Sequence, residues 1–202
     1  MHSPYPVCAP ARSAIITGMY PSSIGTGNQR AYHQKRKVRP DSESQLDFPY
    51  YSSKLAEAIK PFTQILRENG YYCTNNSKTD YNFKLKDEAW DESSENASWE
   101  NRKKDQPFFA VFNFGVTHES SIWRRGKKKL KVDPNILKVP PVFPDDSITR
   151  HALAVNYSNL IEMDIQMGKI IDELKKQKLY DNTYIFFYSD HGGPFPRHKR
   201  AI

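Results

Sequence analysis

Cysteine is scarce. Two residues in 202, Cys8 and Cys73, exclude a disulfide framework. No run is apolar or long enough to span a bilayer, in keeping with a mean hydropathy of -0.76. The opening Met1-His2-Ser3-Pro4-Tyr5-Pro6 carries no basic n-region and no apolar h-region, so no signal peptide is expected in it. Zinc-finger spacing, RNP-type aromatic motifs and internal repeats are also missing, which counts against a nucleic-acid-binding module. Acidic residues are outnumbered 23 to 30 by lysine and arginine, giving a formal charge of +7. What remains is 38% hydrophobic and 13% aromatic residues, enough to bury one substantial core.

The basic excess is clustered. It falls at Lys35-Arg36-Lys37, Arg102-Lys103-Lys104, Arg124-Arg125, Lys127-Lys128-Lys129 and between Arg197 and Arg200. Each cluster alone reads as a solvated loop, and together they attract polyanions generally, nucleic acid and sulfated polysaccharide both being candidates.

Periodicity and punctuation give the expected elements. A short helix starts near Cys8, with Pro10 in its first turn and Gly18 at its exit. Polar, glycine-containing chain follows over residues 17–40, and residues 41–53 show little periodicity. Phe62, Ile65 and Leu66 form one helical face between Pro61 and Asn69-Gly70, and a short strand follows over residues 71–74. Residues 80–105 read as a charged surface excursion. The run over residues 107–116, rich in Phe and Val, reads as a buried strand. Residues 123–146 read as irregular chain. A long helix is expected over residues 148–177, with Leu160, Met163, Met167, Ile170, Ile171 and Leu174 on its core face. A second buried strand is expected over residues 184–188. Strand, helix and strand with polar residues at the strand ends predict an open α/β sheet, whose ligands gather at the carboxyl edge.

The segment most informative for chemistry is Cys8-Ala9-Pro10-Ala11-Arg12, followed by Thr17-Gly18. A side chain at a helix start meets unpaired backbone N–H groups and the positive end of the dipole, where anions are stabilised. Arg12, one turn on, adds a fixed fork for an oxyanion. Read without context, Cys8 is equally a small buried hydrophobe.

Cys-x-Pro-x-Arg with Thr-Gly five residues later resembles the signature of type I sulfatases, which depend on formylglycine. That resemblance implies an alkaline-phosphatase-like α/β fold, with an open, mostly parallel sheet flanked by helices. It implies hydrolysis of sulfate esters or sulfamates. Cys8 would be oxidised to formylglycine by a formylglycine-generating or anaerobic sulfatase-maturing enzyme, and Arg12 would steady it. Asp190-His191-Gly192-Gly193 resembles the metal-binding segment, so Asp190, His191 and the modified Cys8 would hold a divalent ion. Calcium is the family's metal, and the nitrogen donor His191 leaves manganese, magnesium or zinc open. Without that context the same residues read as a turn with an Asx cap.

Lys78 resembles the lysine of the second signature, which contacts formylglycine and sulfate. Ser77 and Asp80 stand where the family has glycine and histidine. His118, at the end of the Phe-rich run, resembles the histidine that protonates the leaving group; alone it is a strand-end histidine. Lys199 resembles the late sulfate-binding lysine, with Arg197 or His198 as alternative contacts. Residues 139–145 and 189–196 are similar to heparan N-sulfatase and its bacterial relatives, which points to sulfated sugars.

The resemblance implies a partial catalytic domain over residues 1–202, truncated at both ends, without the first metal-binding strand and the C-terminal part. It implies a periplasmic or extracellular setting. Two other functions fit the residues less well: a phosphonate or phosphate monoester hydrolase of the same superfamily, and an inactive polyanion-binding fragment.

Overall fold

The computed structural model describes residues 3–28 and 52–199. These fall into two compact units, one running to Asn113 and resuming at Ser189, the other spanning Phe114–Tyr188. The irregular chain expected over 29–51, the cluster Lys35-Arg36-Lys37 and Arg200 lie outside the described residues.

In the first unit, α1 spans Cys8–Thr17 and stops at Gly18, whose φ of 68° is left-handed and natural for glycine. α2 spans Phe62–Glu68, entered through Pro61 and left through Asn69. A parallel sheet follows: β1 (Tyr72–Asn76) at the centre, β2 (Glu92–Ser93) on one side and β3 (Phe108–Phe112) on the other. Tyr72 pairs with Phe108 and Asn76 with Phe112, so both strands deliver their carboxyl ends to the same edge.

Strand alternation sorts the side chains of β3. Trp99 stacks on Phe108 at 5.7 Å and meets Phe112 edge-on at 5.6 Å, which covers one face. Phe109 and Val111 point to the other face and pack on the core of Ile16, Cys73, Phe83, Ala89 and Trp90. Phe62 of α2 meets Phe109 edge-on at 5.2 Å. Such aromatic pairs add about 0.5–1.5 kcal/mol beyond area burial.

Two expectations are corrected here. Residues 80–105 are not a surface excursion: they contribute β2 and the buried Trp90 and Trp99. Isolated tryptophans carry no period, but each buries more apolar area than several small residues. The Phe-rich run is a strand, yet all five residues of β3 are half-buried rather than fully enclosed.

The second unit is helical. α3 (Ser120–Arg125) interrupts the chain expected to be irregular, and a 3-10 turn, Pro134–Ile136, follows. α4 spans Ser147–Lys176, capped by Asp146, whose carboxylate accepts the Thr149 N–H at 2.8 Å. Its buried face is Leu153, Ala154, Val155, Ser158 and Asn159, with Leu174 further on. Met163, Met167, Ile170 and Ile171 are only half-buried and Leu160 is exposed, so the expected core stripe is displaced toward the helix start.

The expected strand over 184–188 is the largest departure. The segment makes no ladder among the described residues and exposes Tyr184, Phe186, Phe187 and Tyr188, Tyr184 at 93%. A strand needs a neighbour for its backbone groups, and all three strands belong to the first unit.

Candidate active site

The start of α1 places Cys8 among groups drawn from distant parts of the first unit. Cys8 Sγ lies 3.0 Å from His191 Nε2. His191 Nε2 is 3.6 Å from Asp190 Oδ1, and Asp190 Oδ2 is 3.8 Å from Arg12 Nη1. One donor atom from each of Cys8, Asp190 and His191 falls within 4.8 Å of the others.

Arg12 is fixed by three further hydrogen bonds. Nε donates to the Thr79 carbonyl at 2.9 Å, and Nη2 donates to the Lys78 carbonyl at 2.6 Å and to Asn113 Oδ1 at 2.7 Å. Asn113 directly follows β3, and its amide donates to Asn75 Oδ1 and to the Asn76 carbonyl, both at 3.0 Å. The carboxyl ends of β1 and β3 thus hold the guanidinium. The 190–191 loop is tied down as well: Ser3 Oγ donates to the Asp190 carbonyl at 2.8 Å. A Cβ at Gly192 would collide with the His198 carbonyl, so only glycine allows the loop to close this tightly.

The electrostatics favour an anion at residue 8. Burial pushes the Cys8 thiol up, but the His191 hydrogen bond and the charges of Lys78 and Lys199 outweigh it and hold the thiol below its ordinary value. His191 shifts the other way: burial pulls it down, and the bonds to Cys8 and to the Gly192 carbonyl raise it further than that. His191 Nδ1 lies 2.8 Å from that carbonyl, which can only accept, so Nδ1 carries a proton. In the neutral ring, Nε2 then accepts from the Cys8 thiol; with Cys8 as thiolate, Nε2 carries a proton and donates to it. Cys73 differs: burial, with the Asp91 charge, pushes its thiol up to about 12.

A thiolate, an imidazole and one carboxylate suit a borderline divalent ion such as zinc. Replacing the sulfur with oxygen, as formylglycine would, shifts the set toward calcium or magnesium.

Lys78 sits beside the same cluster, its Nζ 3.3 Å from Asp80 Oδ2. Asp80, which stands where the family histidine was expected, is buried, with a left-handed φ of 56°. Lys199 is buried and close enough for its charge to act on Cys8. His118 is placed in the second unit, where it ends a 3-10 turn with Nδ1 2.9 Å from Ser120 Oγ. Sequence reasoning missed Asn113 and Asp80 as site residues. Both are short polar groups directly beside expected site residues or a strand end, and that adjacency was the available signal.

The chain is 38% identical over 239 residues to an ulvan-active sulfatase of Formosa agariphila, covering all of this chain and 38% of the relative. A second ulvan-active sulfatase of that organism is 25% identical over 93% of this chain and 41% of its own length. Human N-sulphoglucosamine sulphohydrolase is 34% identical over 64 residues, 32% of this chain and 13% of that protein. The chain therefore spans about two fifths of the length of the two bacterial relatives. A family model described as Sulfatase matches residues 1–200, and with a cysteine, an arginine, an aspartate and a histidine gathered at the sheet edge, the chain belongs to the sulfatase family.

Proposed function

We propose that the protein hydrolyses sulfate esters on sulfated sugars, with Cys8, matured to formylglycine, as the nucleophile. The contact of 3.0 Å between Cys8 and His191, inside the cluster formed with Asp190 and Arg12, carries the reading. It brings the nucleophile precursor, a metal-type donor set and a fixed cation to one point. The bacterial relatives described as ulvan-active favour a sulfated polysaccharide of that kind. The shorter match to a sulphoglucosamine sulphohydrolase keeps sulfamates as the second reading.

Formylglycine at residue 8 would supply a hydrated aldehyde as the oxygen nucleophile toward sulfur. Asp190, His191 and residue 8 would hold a divalent ion, calcium being favoured once residue 8 offers oxygen, and that ion would supply positive charge. Arg12 steadies residue 8 through a fork already held by Thr79, Lys78 and Asn113. Lys78 and Lys199 attract the sulfate into the pocket and hold its peripheral oxygens. His118 donates the proton to the leaving oxygen. The maturing enzyme acts on Cys8, and the protein works in the periplasm or outside the cell. No helix among the described residues is long and apolar enough to cross a membrane.

Mass analysis of the peptide from Pro4 to Arg12, after co-expression with a maturing enzyme, tests the nucleophile. The expected product is the aldehyde, and an unmodified thiol in an active preparation refutes the role. Cys8→Ala is expected to lower turnover of a sulfate ester by at least about 10⁴-fold with the fold retained. Assaying sulfated and phosphorylated forms of one sugar separates a sulfatase from a phosphate monoester hydrolase.

A further inference from the structure

The second unit carries a pocket that shares no residue with the cysteine-centred cluster. Its lining comes from the end of α3, the lysine-rich segment after it and the buried face of α4, and includes Arg125, Lys128, Lys129, Lys131, Asn159 and Glu162. Four cationic side chains thus meet one carboxylate. Glu162 is taken up by Lys131 at 2.7 Å and by Arg125 at 4.0 Å. Lys128 and Lys129 are exposed and make no ion pair among the described residues.

Asn159 supplies an independent observation. It is 2% exposed, and its Oδ1 accepts from Arg125 Nε at 2.6 Å. A guanidinium can only donate, so this bond fixes the amide orientation and leaves Nδ2 as the remaining donor. That Nδ2 is buried without a hydrogen-bond partner among the described residues. A buried donor left unmet is destabilising, and a charged oxygen entering the pocket would relieve it. A guanidinium, ammonium groups and an amide N–H present donors to such an oxygen, and the exposed lysines supply the long-range attraction.

We infer that this pocket is a binding subsite for a sulfate or carboxylate group of an anionic polysaccharide. The choice of a saccharide rests on the sulfatase reading. Arg125 and Asn159 bind the anionic group directly, and Lys128 and Lys129 neutralise the neighbouring charges of the chain.

The test measures binding of dextran sulfate to the 202-residue protein across a salt series, with uncharged dextran and single-stranded DNA of similar length beside it. For Lys128→Ala/Lys129→Ala the dissociation constant for dextran sulfate is expected to rise about tenfold, and the salt dependence to fall by about one to two counterions. The charge-matched Lys103→Ala/Lys104→Ala, in the first unit, is expected to change it less than about twofold. Asn159→Asp puts an anion in place of the donor and should weaken binding further, with circular dichroism confirming the fold. Equal losses in the two lysine double variants would overturn the subsite, because net charge alone would then explain binding. DNA binding as tight as dextran sulfate and equally sensitive to Lys128 and Lys129 would overturn the saccharide assignment. Turnover of a small sulfate ester should be unchanged in Lys128→Ala/Lys129→Ala. A failed sulfatase reading would instead appear as no turnover in any matured protein, whatever the binding result.

Discussion

Residues 108–112 and 184–188 are two five-residue runs of nearly the same character, aromatic and β-branched, each leading into a loop that supplies the candidate site. Their fates differ. The first is a strand in register with β1, flanked by Trp99 and Phe62. The second is exposed and makes no ladder among the described residues. Strand-forming composition is therefore a capacity that becomes structure only where a neighbour accepts the backbone N–H and C=O groups. The loops they feed are positioned differently as well. Asn113 takes its place from the ladder, whereas Asp190 and His191 are held by bonds to Ser3, Arg12 and Cys8.

Three measurements bear on this contrast. Arg12 joins the ends of both runs through Asn113 and Asp190, so Arg12→Ala should lower sulfate-ester turnover by about 10²–10³-fold in steady-state assays. Retained turnover would mean that the second loop finds its place without the first. Next in size is stability. Phe109→Ala should cost about 2–4 kcal/mol by urea denaturation, because Phe109 packs on the core, and Phe186→Ala less than about 0.5 kcal/mol. Comparable costs would show that 184–188 is packed in solution.

The smallest effect is in the pH dependence of the sheet. The Glu92 carboxyl is held below its ordinary value, first by the Tyr72 hydroxyl at 2.7 Å and then by Asn101. Its contribution is complete above the ordinary carboxylate pKa of about 4.3 and fades as pH falls through the lower folded value. Tyr72 is pushed up to about 12 by burial and by Glu92, so its share persists at neutral pH and is lost only as pH rises through that value. Urea midpoints at pH 7 and pH 3 should therefore converge more in Glu92→Gln than in the parent. An identical acid loss in both would remove Glu92 from the ladder's support.

The sequence made α1 legible through its termini, bracketed by Pro10 and Gly18, and α4 through the three- and four-residue spacing of its apolar side chains. The cysteine segment and Asp190-His191 were legible because their chemistry is carried by unusual residue combinations. Trp90 and Trp99 were not, since a single aromatic has no period, and their burial depends on strands distant in sequence. The pairing of Lys78 with Asp80 was also hidden, because it depends on a left-handed turn at a non-glycine residue. The run 184–188 misled for the opposite reason: its local pattern was strong and its partner was not a local property.

Arg12 arrives at the pocket with two of its three nitrogens already spoken for by oxygens of the surrounding scaffold. A lysine there could keep the charge but not this three-way grip, because one ammonium cannot reproduce the spread of a planar fork. The immobility of the cation is consequently settled when the chain collapses, long before any sulfate approaches. On the proposed function, an incoming tetrahedral anion would meet a finished frame, and little of its affinity would be lost to tightening a slack arm.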